Sequence, residues 1–205
     1  MVKIIIIDYK MGNLFSISKG LERAGADVSI ISEKINEFDC DGLVIPGVGA
    51  FKLAIQNILP FKPAIDKFYK SSKPILGICL GLQIFFTRSY EGGIFEGLNY
   101  INGEVIRFPD NKSDPIPHMG WNTIEIKKPD CPLLENIKNG TYFYFVHSYY
   151  GLPENSEYII AITDYIVKFP SIIQKDNIYL VQFHPEKSSK AGLQILKNFI
   201  KIAKN

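Results

Sequence analysis

Cys79 stands between Gly77 and Gly81 in the stretch PILGICLGLQ, Pro74 to Gln83. Glycine weakens a strand interior and marks a sharp bend or the close approach of another segment. An aliphatic run, then Gly-x-Cys-x-Gly, then a helical pattern has the layout of a nucleophile elbow, better known with serine. The strained turn lifts the side chain clear of the sheet. The helix that follows points its N-terminus at the thiol and favours the thiolate. The amide of Leu80 is then placed to serve an oxyanion hole. The bland alternative is a small buried cysteine at an awkward turn.

A thiol nucleophile needs a base, and the chain offers three histidines, His118, His147 and His184. His184 follows IYLVQF, which reads as a strand, and Pro185 stops the chain from continuing in that strand. Glu186, two residues on, is near enough to accept a hydrogen bond from the imidazole, the orienting role in a triad. The competing reading is a surface histidine beside an unrelated glutamate. His147, among the aromatics of FYFVHSYY, reads as a structural histidine. His118, with Met119 and Trp121, reads as core or, if exposed, as an interface patch. Asp8 is a candidate cap for the helix after it.

The elements that must position these residues fall into two styles. KIIIID is a continuous aliphatic run, as in a strand buried on both faces. NLFSISKGLERAG carries Leu14, Ile17, Leu21 and Ala24 at helical spacing, with Gly25 as the stop. DVSIIS, DGLVIPG and PILGIC read as further strands; AFKLAIQNIL, AIDKFYKS and LGLQIFFTRS read as helices. This alternation predicts a parallel sheet with helices on both faces. After about Tyr90 the pattern turns β-rich: GEVIRF, NTIEIK, TYFYFVHSYY, YIIAIT, PSIIQK and IYLVQF read as strands of antiparallel pairs. KDN is a tight-turn candidate. The closing AGLQILKNFIKIAK reads as a core-facing helix through Leu193, Leu196 and Ile200, widened by Ile195, Phe199 and Ile202.

The chain's 205 residues suit one domain, expected over 1–205. The net charge of +2 carries no long run of one sign and gives no reason to expect nucleic acid or a membrane surface. No apolar run reaches membrane-span length, and MVKIIIID lacks a signal-peptide layout. Three cysteines are too few for a disulfide framework and lack metal-site spacing. Cys40 reads as a loop thiol and Cys131 as a small apolar filler. A reducing cytoplasm is the simplest compartment.

Taken together, GICLGLQ and QFHPEKS resemble the class I, triad-type glutamine amidotransferases. PGVGAF, Pro46 to Phe51, is similar to the oxyanion strand of that family. PHMGWN, FVHSYY and DYKMGN resemble the glutaminase subunits of imidazole glycerol phosphate synthase, in histidine biosynthesis. The resemblance spans nearly the whole chain. One departure is Lys10, where the family usually has glycine. The fold so implied is a three-layer α/β/α sandwich of flavodoxin-like type, with an antiparallel extension in the second half. The activity implied is glutamine hydrolysis through Cys79, His184 and Glu186, without metal or organic cofactor. Oxyanion donors would be the amide of Leu80 and one from Gly47-Val48-Gly49. Gln83, Gly49, Ser148 and Tyr149 would hold the glutamine. The implied partner is a (βα)₈-barrel cyclase subunit that consumes the ammonia, met through Met119, Trp121 and Lys187. Two alternatives stand beside this: an ammonia supplier to another synthase, and a binding module that kept the fold without turnover.

Overall fold

The computed structural model describes residues 1–110 and 114–204. In chain order the elements are β1 (Val2–Ile7), α1 (Leu14–Ala24), β2 (Ala26–Ile31), β3 (Gly42–Gly47), α2 (Phe51–Ile58), α3 (Lys62–Lys70), β4 (Ile75–Cys79) and α4 (Leu80–Gln83). There follow β5 (Phe86–Ser89), β6 (Phe95–Glu96), β7 (Ile101–Arg107), β8 (His118–Thr123), β9 (Glu125–Ile126) and β10 (Tyr142–His147). The chain closes with β11 (Tyr149–Pro153), β12 (Ile159–Asp164), β13 (Lys168–Lys175), β14 (Ile178–Val181) and α5 (Ser189–Lys204).

The eight-stranded main sheet runs β2-β1-β3-β4-β14-β13-β12-β9. Its first five strands are mutually parallel, and β13, β12 and β9 continue it antiparallel. The aliphatic run of β1 is explained by two cores. Ile5 and Ile7 pack into one with α2 and α3, while Ile4 and Ile6 pack into the other with α1 and α5. Alternate side chains of a strand point to opposite faces, so a strand covered on both sides is apolar at every position. The three-layer expectation holds. Two smaller sheets, β10-β8 and β11-β7-β5-β6, carry the rest of the second half.

Four local readings change. LGLQIFFTRS is not one helix: α4 is a single turn, and Phe86 onward becomes β5, pairing with β7 and β6. The β-rich half therefore begins before Tyr90. The aromatic, β-branched Phe-Phe-Thr favours a strand, and the pairing partners decide it. TYFYFVHSYY is not one strand either. It breaks at Ser148, so that β10 pairs with β8 and β11 pairs with β7 in a different sheet. NTIEIK also divides, its start ending β8 and Glu125–Ile126 joining the main sheet. Finally, Asn13 rather than Asp8 caps α1, accepting from the Ser16 amide.

Asp8 has a different task. Lys10 sits in the left-handed region at φ 64°, where glycine is the easy residue. The Asp8 carboxylate accepts from the Lys10 amide at 2.9 Å and from its Nζ at 3.0 Å, which pins the turn. A lysine is thereby accommodated in a backbone conformation that glycine adopts more easily.

Candidate active site

Cys79 ends β4 at φ 54° and ψ −109°, and α4 begins at the next residue. A non-glycine residue held there costs roughly 1–3 kcal/mol and persists only where its surroundings impose it. The surroundings are visible. A Cβ on Gly81 would stand 1.8 Å from the Ile45 carbonyl oxygen, and one on Gly77 would stand 2.6 Å from the Gly81 oxygen. Both glycines are required for β3, β4 and α4 to meet this closely. The sulfur is held between two groups: the thiol donates to the Val146 carbonyl at 3.8 Å, and Gln182 Nε2 donates to the sulfur at 3.7 Å.

His184 follows the end of β14, the strand beside β4. Its amide donates to the Tyr144 carbonyl, and Ser188 Oγ bridges the His184 carbonyl and the Tyr144 amide. The turn carrying the histidine is thus bolted to β10. The residue is 2% exposed. Nδ1 lies 2.8 Å from Glu186 Oε1, with both side chains buried. Burial pulls this imidazole down, but Cys79 and the Glu186 carboxylate outweigh it and hold the pKa well above the ordinary range. The arrangement favours the imidazolium form of His184.

Cys79 opens on a cavity of about 480 Å³. Val48, Gly49, Leu80, Gln83, Ser148 and Tyr149 line it, and Gly49 has φ 109°; Lys187, expected on the partner-facing surface, lines it as well. Gly47 lies just outside the lining, packed against Tyr9 and Leu80. Met119 and Trp121 lie outside the cavity and are 64% and 52% exposed. Both Nε2 hydrogens of Gln83 are engaged, with the Tyr149 carbonyl at 2.8 Å and Gln182 Oε1 at 3.4 Å. Only its Oε1 is left for a ligand. Among the described residues, no group of histidine, cysteine and acidic side chains has the arrangement of a metal site. No helix among them is long and apolar enough to cross a membrane.

The family model for class I glutamine amidotransferases matches residues 5–203. The chain belongs to that family. It is 48% identical over 201 residues to the imidazole glycerol phosphate synthase subunit HisH of Archaeoglobus fulgidus, covering 98% of this chain and 99% of that protein. It is 48% identical over 198 residues to the HisH subunit of Methanocaldococcus jannaschii, covering 96% and 98%. Among solved structures, PurLQS from Thermotoga maritima superposes with a TM-score of 0.75 at 16% identity, covering 98% of this chain and 99% of that one. The amidotransferase is therefore a glutaminase subunit of the HisH kind.

Several pocket residues of this amidotransferase escape a reading by motif. Glu91 lines the cavity and accepts from the Phe51 amide at 2.8 Å. The only signal for it is an acid before the glycine pair of YEGG. Pro117, Val146 and His147 also line the wall. His147 proves structural, as read: its Nδ1 lies 2.9 Å from the Tyr149 carbonyl and its Nε2 lies 3.1 Å from His118 Nδ1. The carbonyl can only accept, so His147 carries its proton on Nδ1 and His118 donates to Nε2. His118 is core, stacked between Phe145 and Tyr165. Cys40 and Cys131 are free and buried, Cys40 in a loop.

Burial holds both of these imidazoles neutral, pushing His118 down to about 4 and His147 to about 3. Unfolded, each binds a proton near pH 6.5, so the unfolded chain holds more protons in acid. Each pH unit below 6.5 is then expected to cost up to about 1.4 kcal/mol of stability per histidine. His184 works in the opposite sense: its contribution is complete below 6.5 and is lost as pH rises through its raised value. Thermal midpoints between pH 6.5 and 4.5 check this. The slope should shrink in His118→Gln, which keeps a donor toward His147 and cannot ionise. An unchanged slope overturns the assignment.

Proposed function

We propose that Cys79, His184 and Glu186 are the triad that hydrolyses glutamine, within a single amidotransferase domain over 1–205. The observation that carries this is the strained Cys79 turn, opening on a cavity and backed by the buried His184–Glu186 pair. The Cys79 proton passes to His184 Nε2, and the sulfur attacks the side-chain carboxamide carbon of glutamine. The carbonyl electrons move to oxygen, which lies against the Leu80 amide and an amide of Gly47-Val48-Gly49. His184 returns the proton to nitrogen, the C–N bond breaks, and ammonia leaves a glutamyl thioester. Water, deprotonated by His184, adds to the thioester. The C–S bond breaks, the sulfur regains its proton, and glutamate departs. Gly49, Ser148 and Tyr149 hold the amino-acid end with Gln83 Oε1, and Glu91 supplies an anion for the ammonium group.

The ammonia acceptor is a (βα)₈-barrel cyclase subunit, which makes imidazole glycerol phosphate and an aminoimidazole carboxamide ribonucleotide. Supporting its docking face, Trp121 packs near Tyr144 at 6.1 Å between ring centres, and Lys187 Nζ lies 5.8 Å from the Tyr144 ring. With Met119 these form one exposed patch beside the cavity lining of Lys187 and Pro117. The HisH relatives favour this partner over that of another synthase. The test is co-purification with the cyclase, with glutamate release measured from the complex. No complex, or a complex that leaves glutamine intact, overturns the reading.

Glu186→Gln separates the roles within the triad. The imidazole would lose its anion while keeping its neighbour, so turnover should fall, though less than on removing Cys79. In a serine-protease triad the acid is worth about a hundredfold less than the nucleophile. A loss in kcat as deep as that of Cys79→Ala would mean that Glu186 does more than orient.

A further inference from the structure

Gln182 is fully buried between β14 and the turn that carries His184, and the steps of glutamine hydrolysis proposed above assign it no role. Its backbone amide is tied to the Ser171 carbonyl at 2.9 Å. Its side chain touches two pocket residues at once. Oε1 accepts from Gln83 Nε2 at 3.4 Å, and Nε2 stands 3.7 Å from the Cys79 sulfur. The polarity of this contact follows from one group that cannot be reversed. The Tyr149 carbonyl is an acceptor only, so the Gln83 group 2.8 Å from it is its NH₂. That NH₂ must face an acceptor on Gln182, so Gln182 turns its oxygen to Gln83 and its own NH₂ to the sulfur. The reverse orientation would set two donors against each other and an acceptor against a thiolate.

We propose that Gln182 is a further catalytic residue of the amidotransferase, donating a hydrogen bond to the Cys79 sulfur and aimed by Gln83. The proposal rests on the reading of Cys79 as nucleophile. Its importance rises when the proton leaves. The thiol's other contact, the Val146 carbonyl, is an acceptor and has nothing to offer a thiolate. Gln182 Nε2 is the donor already in place for that state, beside the imidazolium of His184. The same bond receives the sulfur again when the C–S bond of the glutamyl thioester breaks. Hydrogen bonds to charged groups are the stronger class, and losing one should slow thiolate chemistry roughly tenfold to a hundredfold.

The test is the alkylation rate of Cys79 by iodoacetamide at one pH, in which sulfur displaces iodide without any turnover. It is followed on the Cys79 peptide, with Cys40 and Cys131 as internal references. Gln182→Met keeps the length and removes the donor. It is expected to slow alkylation and kcat by about tenfold or more, with the KM for glutamine changed less than about twofold. Gln182→Glu, which sets a carboxylate against the sulfur, should be slower still. Alkylation of folded Gln182→Met at the wild-type rate overturns the proposal. Because Gln182 is buried, a second measurement leaves it in place. The side-chain NH₂ resonance of Gln182 should move in Cys79→Ala, which removes the acceptor, and an unmoved resonance also overturns the proposal. The two readings fail separately. Cys79→Ala with full turnover removes the nucleophile itself, whereas inactive Cys79→Ala with unaltered Gln182→Met removes only the role of Gln182.

Discussion

Cys79→Ala is expected to lower glutamine hydrolysis by a factor on the order of 10⁶ in kcat, as removal of the nucleophile does in a serine-protease triad. In the proposed mechanism Cys79 supplies the only protein atom that becomes bonded to substrate, and no neighbour is placed to replace it. His184 would be left with a proton-transfer role and no sulfur to serve. The fold should survive. Alanine is smaller than cysteine, and the left-handed turn is imposed by the close meeting of β3, β4 and α4 at Gly77 and Gly81, not by the thiol. Cys40→Ala and Cys131→Ala should remain active, since neither thiol lines the cavity. The measurement is glutamate release with a thermal melt alongside. A folded Cys79→Ala protein that turns over at the wild-type rate ends the nucleophile assignment.

The second large effect concerns the partner. The isolated chain is expected to be nearly silent, and the cyclase with its nucleotide ligand should raise glutaminase turnover by at least about a hundredfold. Hydrolysis without an acceptor loses ammonia to solvent, so an uncoupled site serves no purpose. The device we propose is the peptide joining Gly47 to Val48, which would aim the Val48 amide at the oxyanion or away from it. One oxyanion donor is worth about 10²–10³ in rate, so its orientation alone is enough to silence the site. Val48 is exposed and shares the cavity lining with Lys187 and Pro117, which adjoin the patch of Met119 and Trp121. A partner seated on that patch would reach the strand directly. Both orientations must lie within a few kcal/mol for a partner to choose between them. Rates for the chain alone, with the cyclase, and with the cyclase plus ligand decide it. Full activity of the chain alone rules the switch out. Gly49 adds a check: at φ 109° it occupies a backbone region closed to proline. Gly49→Pro should therefore abolish activation, and activation left intact would count against the switch.

The chemistry was legible in the sequence because its demands are local. A strand must bend sharply to raise a cysteine, and that bend needs small residues within two positions. A histidine and its acid can sit two residues apart on one turn. The alternation of β1 to α4 was legible too, since a strand buried on both faces is apolar throughout and a surface helix is not. Long-range pairing decided the remainder. The run from Thr141 to Tyr150 looks the same whether it forms one strand or two; it breaks at Ser148 because β8 and β7 lie in different sheets. The helix after Cys79 stops at Gln83 because Phe86 finds its partner at Ile101. Trp121 and His118, three residues apart on β8, take opposite fates, exposed and buried, because they point to opposite faces of the β8–β10 pair and the aromatic core covers one of them. Gln182 and Gln83 are separated by 99 positions and meet only when β14 settles beside β4. A buried amide has no periodicity of its own, and its partner is set by the packing of the sheet, so only the tertiary structure could bring it to the sulfur.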